Sequence, residues 1–339
     1  MQDDHRLPSI DDIRGAAKRI APMAVKTPLL ESPFLNDRMG ARILLKCEVL
    51  QRTGSFKFRG AYNRISQIDR AVFPGGVVAC SSGNHAQGVA EAARLCELPA
   101  VIVMPSDAPA IKVARTRRSG AEVVLYDRYT EDRDAIAGAI SKERRADFVR
   151  PFDDAGVMAG QGTVGLEIAE GAKAAGAELA GVLVPCSGGG LAGGIALAIE
   201  AEMPGAKVHT VEPEGFDDYA RSLKSGQRER NAPGPNSICD ALLVVTPGEL
   251  TFAVNKSRLG PGLVVSDAEA SAAVAFAFHE LKLVVEPGGA TALAAILSGR
   301  YPLSGKPVAV VLSGGNIDPD MLAAILKQEA AAPTPIPAG

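Results

Sequence analysis

Residues 77–105 read VVACSSGNHAQGVAEAARLCELPAVIVMP, and this stretch decides the fold class. The apolar runs VVAC (77–80) and AVIVMP (100–105) have the length and β-branched content of buried strands. Between them, the Ala-rich run NHAQGVAEAARLC (84–96) predicts a helix. Because a crossover helix joins parallel strands, this unit predicts an α/β protein with a parallel sheet.

The alternation of strand and helix continues on both sides of this unit. The next run, AIKVARTRRSGAEVVLY (110–126), predicts a helix and then a strand. A second series follows PFDD (151–154) and ends with the strand PVAVVL (307–312). Near the N-terminus, Ser9 predicts the N-cap of a helix over 10–22. The two series predict two doubly wound, open α/β sheets.

The order of these segments predicts two lobes. At 339 residues, the chain is longer than a single hydrophobic core usually grows. We expect a large lobe built from residues 1–75 and 151–326, with a small lobe of residues 76–150 inserted into it. The end of the chain, residues 327–339, is rich in proline and alanine without periodicity and predicts a flexible tail.

Composition narrows the classes of function. A net charge of -3 leaves no broad basic field for nucleic acid, so we expect a small-molecule ligand. The acidic N-terminus lacks an apolar run, and no stretch reaches the roughly 18 apolar residues of a membrane span, which predicts a cytoplasmic protein. The cysteines are odd in number and form no CxxC pair, which predicts reduced thiols rather than disulfides or a zinc site. They are Cys47, Cys80, Cys96, Cys186 and Cys239.

A glycine-rich junction in the second series predicts an anion site. It follows an apolar strand, precedes an Ala-rich helix, and is called the glycine loop below: Ser187, Gly188, Gly189, Gly190 and Leu191. Glycines there let backbone N–H groups converge on an anion at the helix N-terminus. The spacing is neither GxGxxG nor a Walker loop, so a single phosphate is the simplest ligand. A tight turn without a ligand is the alternative.

Lys57 is a candidate nucleophile and base. It lies between Phe56 and Phe58 at the start of a predicted helix. Apolar surroundings disfavour the charged form of a lysine, so its pKa falls and the neutral amine becomes available. The alternative is an ordinary solvated lysine on the surface.

Two further junctions carry polar residues. In SSGNHAQG, a strand ends at Ser81 and Ser82 where a helix begins, and hydroxyls with free N–H groups at a helix N-terminus suit a carboxylate. A simple N-cap would explain Ser82 or Asn84 equally well. In SGGNID, Ser313 follows the last predicted strand, where a capped turn is the alternative.

These segments together resemble a known family. The chain carries, in this order, SFKFRGA (55–61), SSGNHAQGVA (81–90), SGGGLAGG (187–194), EPGG (286–289) and SGGNID (313–318). That series resembles the fold-type II pyridoxal-phosphate (PLP) enzymes, whose fold is like that of the tryptophan synthase β subunit. Within them it is most similar to the group of serine and threonine dehydratases, serine racemase and threo-3-hydroxyaspartate dehydratases.

The resemblance implies roles for individual residues around PLP. Lys57 would bind the cofactor as a Schiff base, Phe56 would lie against its ring, and Asn84 would hydrogen-bond its phenolic oxygen. The glycine loop would hold the phosphate, with Ser187 where relatives commonly have glycine. Glu286 would belong to the cofactor site. Ser313 would face the pyridine nitrogen. The substrate carboxylate would be held by the SSGNH segment: Ser81, Ser82, Gly83 and His85.

The resemblance also implies an activity. A serine at the pyridine nitrogen does not stabilise a pyridinium, which suits fast elimination rather than a long-lived carbanion. We expect an ammonia-lyase in which Lys57 removes the α-proton of 3-hydroxyaspartate, threonine or serine, and the β-hydroxyl departs to leave a 2-oxo acid and ammonia. The alternative is an amino-acid racemase in which Lys57 and Ser82 act on opposite faces.

Two weaker signals concern specificity and metal. Arg133 falls where racemase-like relatives carry an arginine that reaches a substrate's distal polar group. It would favour a substrate with a second carboxylate, such as 3-hydroxyaspartate. An exposed helical arginine is the alternative.

The resemblance also implies a metal site. The metal motif of the racemase-like enzymes is matched by Glu212, the Phe216 carbonyl and Asp218, and such oxygen ligands suit Mg²⁺, Mn²⁺ or Ca²⁺. Two solvated acids are the alternative.

The remaining expectations are also based on the resemblance. Ala241 stands where many relatives have glycine beside the cofactor ring, and its extra methyl would narrow the pocket or shift the tilt of the ring. Relatives imply a homo-oligomer, such as a dimer, and no regulatory block is expected after residue 326. Two other classes remain as alternatives: a binding protein of this fold without PLP, and a nucleotide-binding enzyme, which lacks a matching phosphate loop.

Overall fold

The computed structural model describes residues 6–108 and 110–331, with the backbone alone at positions 111, 330 and 331. Its first helix confirms the sequence prediction and shows the physical reason for it. The Ser9 side chain accepts from the backbone N–H of Asp12, whose carboxylate accepts from Ser9 in return. This capping box begins the helix where predicted, and the helix ends two residues earlier than expected.

The described ranges contain helices of seven to twenty residues. They are α1 (Ile10–Ile20), α2 (Pro33–Met39), α3 (Lys57–Ile65), α4 (Asn84–Leu95), α5 (Ala110–Arg118), α6 (Arg133–Arg144), α7 (Ala155–Ala174), α8 (Gly190–Glu202), α9 (Asp218–Ser225), α10 (Glu249–Asn255), α11 (Asp267–Phe276), α12 (Pro287–Leu297) and α13 (Pro319–Ala331). Within these ranges, no helix is long and apolar enough to cross a lipid bilayer.

The strands form two sheets. They are β1 (Leu29–Glu31), β2 (Ile43–Cys47), β3 (Val77–Cys80), β4 (Ala100–Pro105), β5 (Glu122–Tyr126), β6 (Asp147–Phe148), β7 (Gly181–Pro185), β8 (Lys207–Pro213), β9 (Leu263–Val265) and β10 (Val308–Leu312). One sheet has the order β1-β2-β10-β7-β8-β9 and is parallel except for β1. The other has the order β5-β4-β3-β6 and is parallel throughout. The predicted α/β class with two doubly wound sheets is confirmed.

The strand order decides where a ligand can bind. In the first sheet, successive strands proceed from β7 to β8 on one side, while β10 lies on the other side of β7. In the second sheet, β4 and β6 likewise flank β3. Ligands of open α/β sheets bind outside the carboxyl ends of the strands at such reversals. The segments that follow β3, β7 and β10 are the three junctions that the sequence analysis singled out.

Helix α3 connects the two sheets. Phe58, Ala61 and Ile65 pack in the core of the second sheet with Val77 and Ala79. The helix therefore packs with the second sheet, although its residues precede the boundary at 75 that we predict for the small lobe. At the chain end, α13 continues to Ala331, so residues 327–331 of the predicted tail are helical, and residues 332–339 lie outside the described residues.

A buried charge cluster holds the start of α3 against the first sheet. Arg59, which is fully buried, donates to Glu48 at 2.8 Å and to Glu167 at 2.7 Å. Lys46 of β2 contacts the second carboxylate oxygen of Glu167 at 2.5 Å. Because two cations face two carboxylates, the charges are balanced inside the protein. The cluster lies two residues from Lys57 and so constrains the backbone that carries it.

Candidate active site

Backbone hydrogen bonds bring the Lys57 segment against the end of β10. The N–H of Phe56 donates to the Ser313 carbonyl at 3.1 Å, and the N–H of Gly315 donates to the Gly54 carbonyl at 2.9 Å. Ser55 and Gly314 form an isolated antiparallel bridge between these bonds. Two of the predicted motifs, separated by some 250 residues of sequence, therefore share one wall of the site.

Lys57 begins α3 and is partly buried at this wall. Its Nζ donates to the Pro151 carbonyl at 2.8 Å and lies 5.3 Å from the centre of the Phe56 ring. Burial lowers the pKa of Lys57 to about 8, although the nearby Glu286 carboxylate raises it in part. About one-tenth of the amine is therefore neutral at pH 7. A lowered pKa is what the two phenylalanine neighbours of Lys57 predict.

The glycine loop lies between β7 and α8 and is closed by two aromatic rings. A Cβ atom on Gly188 would lie 2.4 Å from the Phe152 ring, and one on Gly189 would lie 2.3 Å from the Tyr219 hydroxyl. Gly189 has a φ of 91° and is the N-cap of α8, a conformation that favours glycine. The first N–H groups of α8 have no acceptor within the helix and can bind an anion. The loop fits a phosphate group.

The loop is also fixed from behind by hydrogen bonds to its carbonyl groups. Thr251 donates to the Gly188 carbonyl at 2.6 Å, and Asn255 donates to the Gly189 carbonyl at 3.1 Å. The Ser187 hydroxyl oxygen accepts from the N–H of Val244 at 3.3 Å. With the carbonyl groups held away from the cavity, the N–H groups remain available to a ligand.

Asn84, Glu286 and Asn316 form a hydrogen-bonded chain beside the end of β10. Asn84 donates to Glu286 at 2.5 Å, and Asn316 donates to the Asn84 amide oxygen at 2.8 Å. Burial, and next the Asp240 charge, raise the pKa of Glu286 to about 7. A Cβ atom on Gly314 would lie 2.3 Å from the Glu286 carboxylate, so glycine is required for this close approach. Glu286 therefore titrates near neutral pH within the site.

The end of β3 presents the predicted carboxylate site at the start of α4. The Ser81 hydroxyl oxygen accepts from the N–H of Gly83 at 3.1 Å, and Ser82 is partly buried. His85 is buried, with Nε2 at 3.1 Å from the Val149 carbonyl. Burial, and next the Lys57 charge, lower the pKa of His85 to about 3. His85 is therefore neutral at physiological pH, and its Nε2 donates to Val149.

The acids of the predicted metal motif are both buried beside the start of α9. Glu212 accepts from the N–H groups of Tyr219 at 3.0 Å and Ala220 at 2.8 Å. Burial, and next the Asp218 charge, raise the pKa of Glu212 well above its usual value. One Asp218 oxygen accepts from Asn231 at 2.5 Å, whereas the other, Oδ2, is buried without a hydrogen-bond partner among the described residues. Burial raises the pKa of Asp218 to about 6.

This pair of acids fits a cation. Two buried carboxylates and an unpartnered Asp218 oxygen are a donor set that a hard divalent ion would satisfy. Phe216, the third residue of the motif, lies buried in the turn before α9. Within the described residues, no cluster of three or more His, Cys, Asp or Glu side chains is arranged for a metal. Backbone carbonyl groups and water would have to supply the other ligands.

The structure leaves Arg133 outside this constellation. Its side chain is 56 % exposed at the start of α6, and the facing carboxylate is Asp134 at 3.9 Å. Its backbone is near the end of β3, because the Arg133 carbonyl accepts from the Cys80 thiol at 3.2 Å. The guanidinium is therefore solvated in this conformation, while its backbone is adjacent to the predicted substrate site.

Several functional contacts escaped the sequence analysis. Pro151 and Phe152 had no predicted role, yet Pro151 contacts Lys57 and Phe152 contacts the glycine loop. Tyr219 and Asn255 had no assigned role. Asn316 lies within the SGGNID motif. Its amide side chain directly after two glycines was the one signal in the sequence for a role in the site. Ala241 lies against α12, with its Cβ atom 3.3 Å from the position of a Cβ on Gly288.

The chain is similar to known proteins of one enzyme family. The family profile described as pyridoxal-phosphate dependent enzyme matches residues 20–314. The L-threo-3-hydroxyaspartate ammonia-lyase of Pseudomonas sp is 42% identical over 322 residues, which are 95% of this chain and 99% of that protein. The serine racemase of Schizosaccharomyces pombe is 38% identical over 328 residues, 97% of this chain and 100% of that protein.

Solved structures agree as well. A crystal structure of threonine deaminase from T.th. superimposes with a TM-score of 0.86 at 43% sequence identity, covering 92% of this chain and 99% of that one. The fold and these similarities therefore agree with the family that the sequence motifs indicate.

Proposed function

The chain belongs to the family of pyridoxal-phosphate dependent enzymes, and we propose that it is an ammonia-lyase acting on a small 3-hydroxy amino acid. The observation that carries the proposal is the Lys57 amine, whose pKa is about 8 and which donates to the Pro151 carbonyl at 2.8 Å. Such an amine can bond the cofactor and afterwards accept a proton from the substrate. The similarity to L-threo-3-hydroxyaspartate ammonia-lyase supports this activity.

The residues of the site fit PLP. The glycine loop offers N–H groups to the phosphate, and Phe56 offers a ring face beside Lys57. Asn84 and Ser313 would offer further polar atoms to the cofactor ring. When bound, PLP supplies an electrophilic carbonyl and a ring that acidifies the substrate's α C–H bond.

Lys57 and Ser313 determine the type of reaction. The Lys57 amine can take the substrate's α-proton, and the Pro151 carbonyl, at 2.8 Å from Nζ, gives the amine a defined position. Ser313 is buried and uncharged, so it cannot stabilise a positive pyridine nitrogen as a carboxylate would. Prompt loss of the β-hydroxyl, rather than accumulation of a carbanion, is favoured. The products would be a 2-oxo acid and ammonia.

Substrate selection depends on the segment after β3. Ser81, Ser82, Gly83 and the start of α4 would hold the substrate's α-carboxylate. Arg133 would reach a second carboxylate after a change of its side-chain conformation, because its backbone already lies beside the end of β3. A 3-hydroxyaspartate is therefore the substrate we favour over threonine and serine.

A racemase is the second candidate function, and Ser82 is the observation that favours it. Ser82 is partly buried at the end of β3, in the segment that would hold the substrate carboxylate. If it lies on the face opposite Lys57, its hydroxyl can return a proton with inverted configuration. The similarity to the Schizosaccharomyces pombe serine racemase supports this alternative.

We also propose that Glu212, Asp218 and the Phe216 carbonyl bind a divalent cation such as Mg²⁺, with Mn²⁺ or Ca²⁺ as alternatives. The buried, unpartnered oxygen of Asp218 supports this site. A cation would compensate the cost of burying two carboxylates side by side.

Location and assembly belong to the same proposal. The five cysteines are all unpaired, which supports a reducing compartment such as the cytoplasm. Several large apolar side chains are exposed, including Phe34, Leu50, Phe278 and Val284, and they support a homo-oligomer in which a second copy covers them. Light scattering of the purified protein would measure the mass of the assembly.

The experiment that tests the function measures 2-oxo acid and ammonia from L-threonine, L-serine and the four stereoisomers of 3-hydroxyaspartate. Lys57→Ala should abolish both products, whereas Lys142→Ala, which alters an exposed lysine of α6, should leave them unchanged. Formation of the opposite enantiomer without 2-oxo acid would contradict the lyase and favour the racemase. Turnover by Lys57→Ala equal to that of the wild type would contradict both.

A further inference from the structure

Tyr219 makes contact with both proposed ligand sites. Its side chain is fully buried, and its backbone N–H donates to Glu212 at 3.0 Å. At its other end, the phenol lies against the glycine loop, where a Cβ atom on Gly189 would come within 2.3 Å of the hydroxyl. One buried residue thus contacts the acids of the cation site through its backbone and the residue that caps α8 through its side chain.

Asn255 holds this phenol and the glycine loop together. Its Nδ2 donates to the Tyr219 hydroxyl at 2.6 Å and to the Gly189 carbonyl at 3.1 Å. All three residues are buried, so water does not compete for these hydrogen bonds. A displacement of Tyr219 would therefore displace the Gly189 carbonyl as well.

A second hydrogen-bonded path connects the same two sites. Asn231 donates to Asp218 at 2.5 Å and to the Val244 carbonyl at 3.0 Å. The N–H of Val244 in turn donates to the Ser187 hydroxyl oxygen at 3.3 Å. Because that oxygen already accepts a hydrogen bond, the Ser187 hydroxyl proton is directed elsewhere and is available to a phosphate oxygen.

We propose that Tyr219, supported by the path through Asn231 and Ser187, is a positioning residue that couples cation binding to the grip of the glycine loop on the cofactor phosphate. The inference rests on the proposed function, since it needs both sites. A cation bound by Glu212 and Asp218 fixes the turn before α9 and therefore the N–H and ring of Tyr219. The ring then holds Gly189 in its left-handed conformation, so that less ordering remains to be done when phosphate binds. By linkage, each ligand raises the affinity of the other by the same factor.

The test is a titration of cofactor-free protein with PLP, in Mg²⁺ and in EDTA, followed by the visible absorbance of the lysine-bound cofactor. In the wild type, Mg²⁺ should raise the PLP affinity by about tenfold, within the range usual for coupled sites. Pyridoxal, which lacks the phosphate, should bind with the same affinity in Mg²⁺ and in EDTA. If the affinity for pyridoxal does not depend on Mg²⁺, the Mg²⁺ effect on PLP binding is due to the glycine loop and not to a general stabilisation of the folded protein.

Variants locate the coupling. Tyr219→Phe removes the atom that joins Asn255, and the ratio of affinities in Mg²⁺ and EDTA should fall to about threefold or less. Tyr301→Phe is the matched control, because Tyr301 lies beside His209 and Gly181, away from both sites, and the full ratio should remain. Should Tyr219→Phe fail to fold, Ser187→Gly interrupts the second path without disturbing the core and should also lower the ratio.

The outcomes separate this inference from the function on which it rests. Equal PLP affinity in Mg²⁺ and EDTA, with PLP bound through Lys57 and 2-oxo acid formed, overturns the coupling and leaves the lyase intact. An unchanged ratio in both Tyr219→Phe and Ser187→Gly overturns the role of these residues. Failure to bind PLP under any condition overturns the coupling and the proposed function together.

Discussion

The Nζ atom of Lys57 lies 2.8 Å from the carbonyl oxygen of Pro151, so the amine is held by a neutral acceptor rather than by a carboxylate. A carboxylate in contact would stabilise the charged form, whereas a carbonyl also accepts from a neutral amine. The arrangement keeps the amine in place in both protonation states. Burial, and not this contact, lowers the pKa of Lys57 to about 8.

The first prediction concerns the pH dependence of cofactor binding. Because the lowered pKa of Lys57 is about 8, the neutral fraction at pH 7 is roughly one-tenth, some 300-fold more than for a lysine of ordinary pKa. The rate at which cofactor-free protein forms the visible absorbance with PLP should rise with pH and reach half its maximum near pH 8. A half-maximum near pH 10 would contradict the lowered pKa. Lys57→Arg should show no such absorbance.

The second prediction concerns Glu286 and stability. Burial raises the pKa of Glu286 from 4.5 to about 7, so the folded state retains its proton after the unfolded state has lost it. Stability from this group is fully present below about pH 4.5 and is lost as pH rises through about 7. Between about pH 5 and pH 8, the cofactor-free wild type should lose roughly 2 to 3 kcal/mol of unfolding free energy relative to Glu286→Gln.

Urea unfolding of both proteins across this pH range measures the difference. Glutamine keeps an oxygen that can accept from Asn84, so the variant should remain folded. Glu178→Gln alters an 87% exposed carboxylate and should show the same pH dependence as the wild type. Parallel pH curves for Glu286→Gln and wild type would show that Glu286 has an ordinary pKa.

The third prediction concerns the glycine loop. Gly188→Ala would put a Cβ atom 2.4 Å from the Phe152 ring, so the loop or the ring must move. We expect the affinity for PLP, measured by equilibrium titration, to fall by about tenfold or more, equivalent to at least 1.4 kcal/mol. Gly138→Ala is the control, since its Cβ would meet nothing within 4 Å and it lies inside α6. That variant should bind PLP normally and gain about 0.5 to 1 kcal/mol of stability.

The fourth prediction concerns the buried charge cluster. Arg59→Leu would leave the fully buried Glu48 carboxylate without its cation, and the free energy of unfolding should fall by about 3 to 5 kcal/mol. Arg94→Ala breaks an ion pair whose arginine is 50% exposed, and the loss should stay at about 1 kcal/mol or below. Thermal and urea unfolding would measure both. A loss for Arg59→Leu no larger than for Arg94→Ala would contradict a structural role for the cluster.

The sequence by itself determined the fold class and predicted the main residues of the candidate site. Strand and helix patterns are local, so VVAC, NHAQGVAEAARLC and AVIVMP predicted β3, α4 and β4 almost residue by residue. The junction motifs were also readable, because carboxyl ends of parallel strands share one edge of a sheet. Lys57 could be singled out because its two phenylalanine neighbours adjoin it in the chain.

Only the tertiary structure decided which groups complete the site. The Pro151 carbonyl at Lys57, and the Phe152 and Tyr219 rings that close the glycine loop, come from segments remote in sequence. Their contacts depend on strand order and on how α3 bridges the sheets, and no local pattern encodes either. The exposed position of the Arg133 side chain likewise follows from how α6 packs against the second sheet. Short-range periodicity specifies elements, whereas the contacts between them follow from burying all their apolar faces at once.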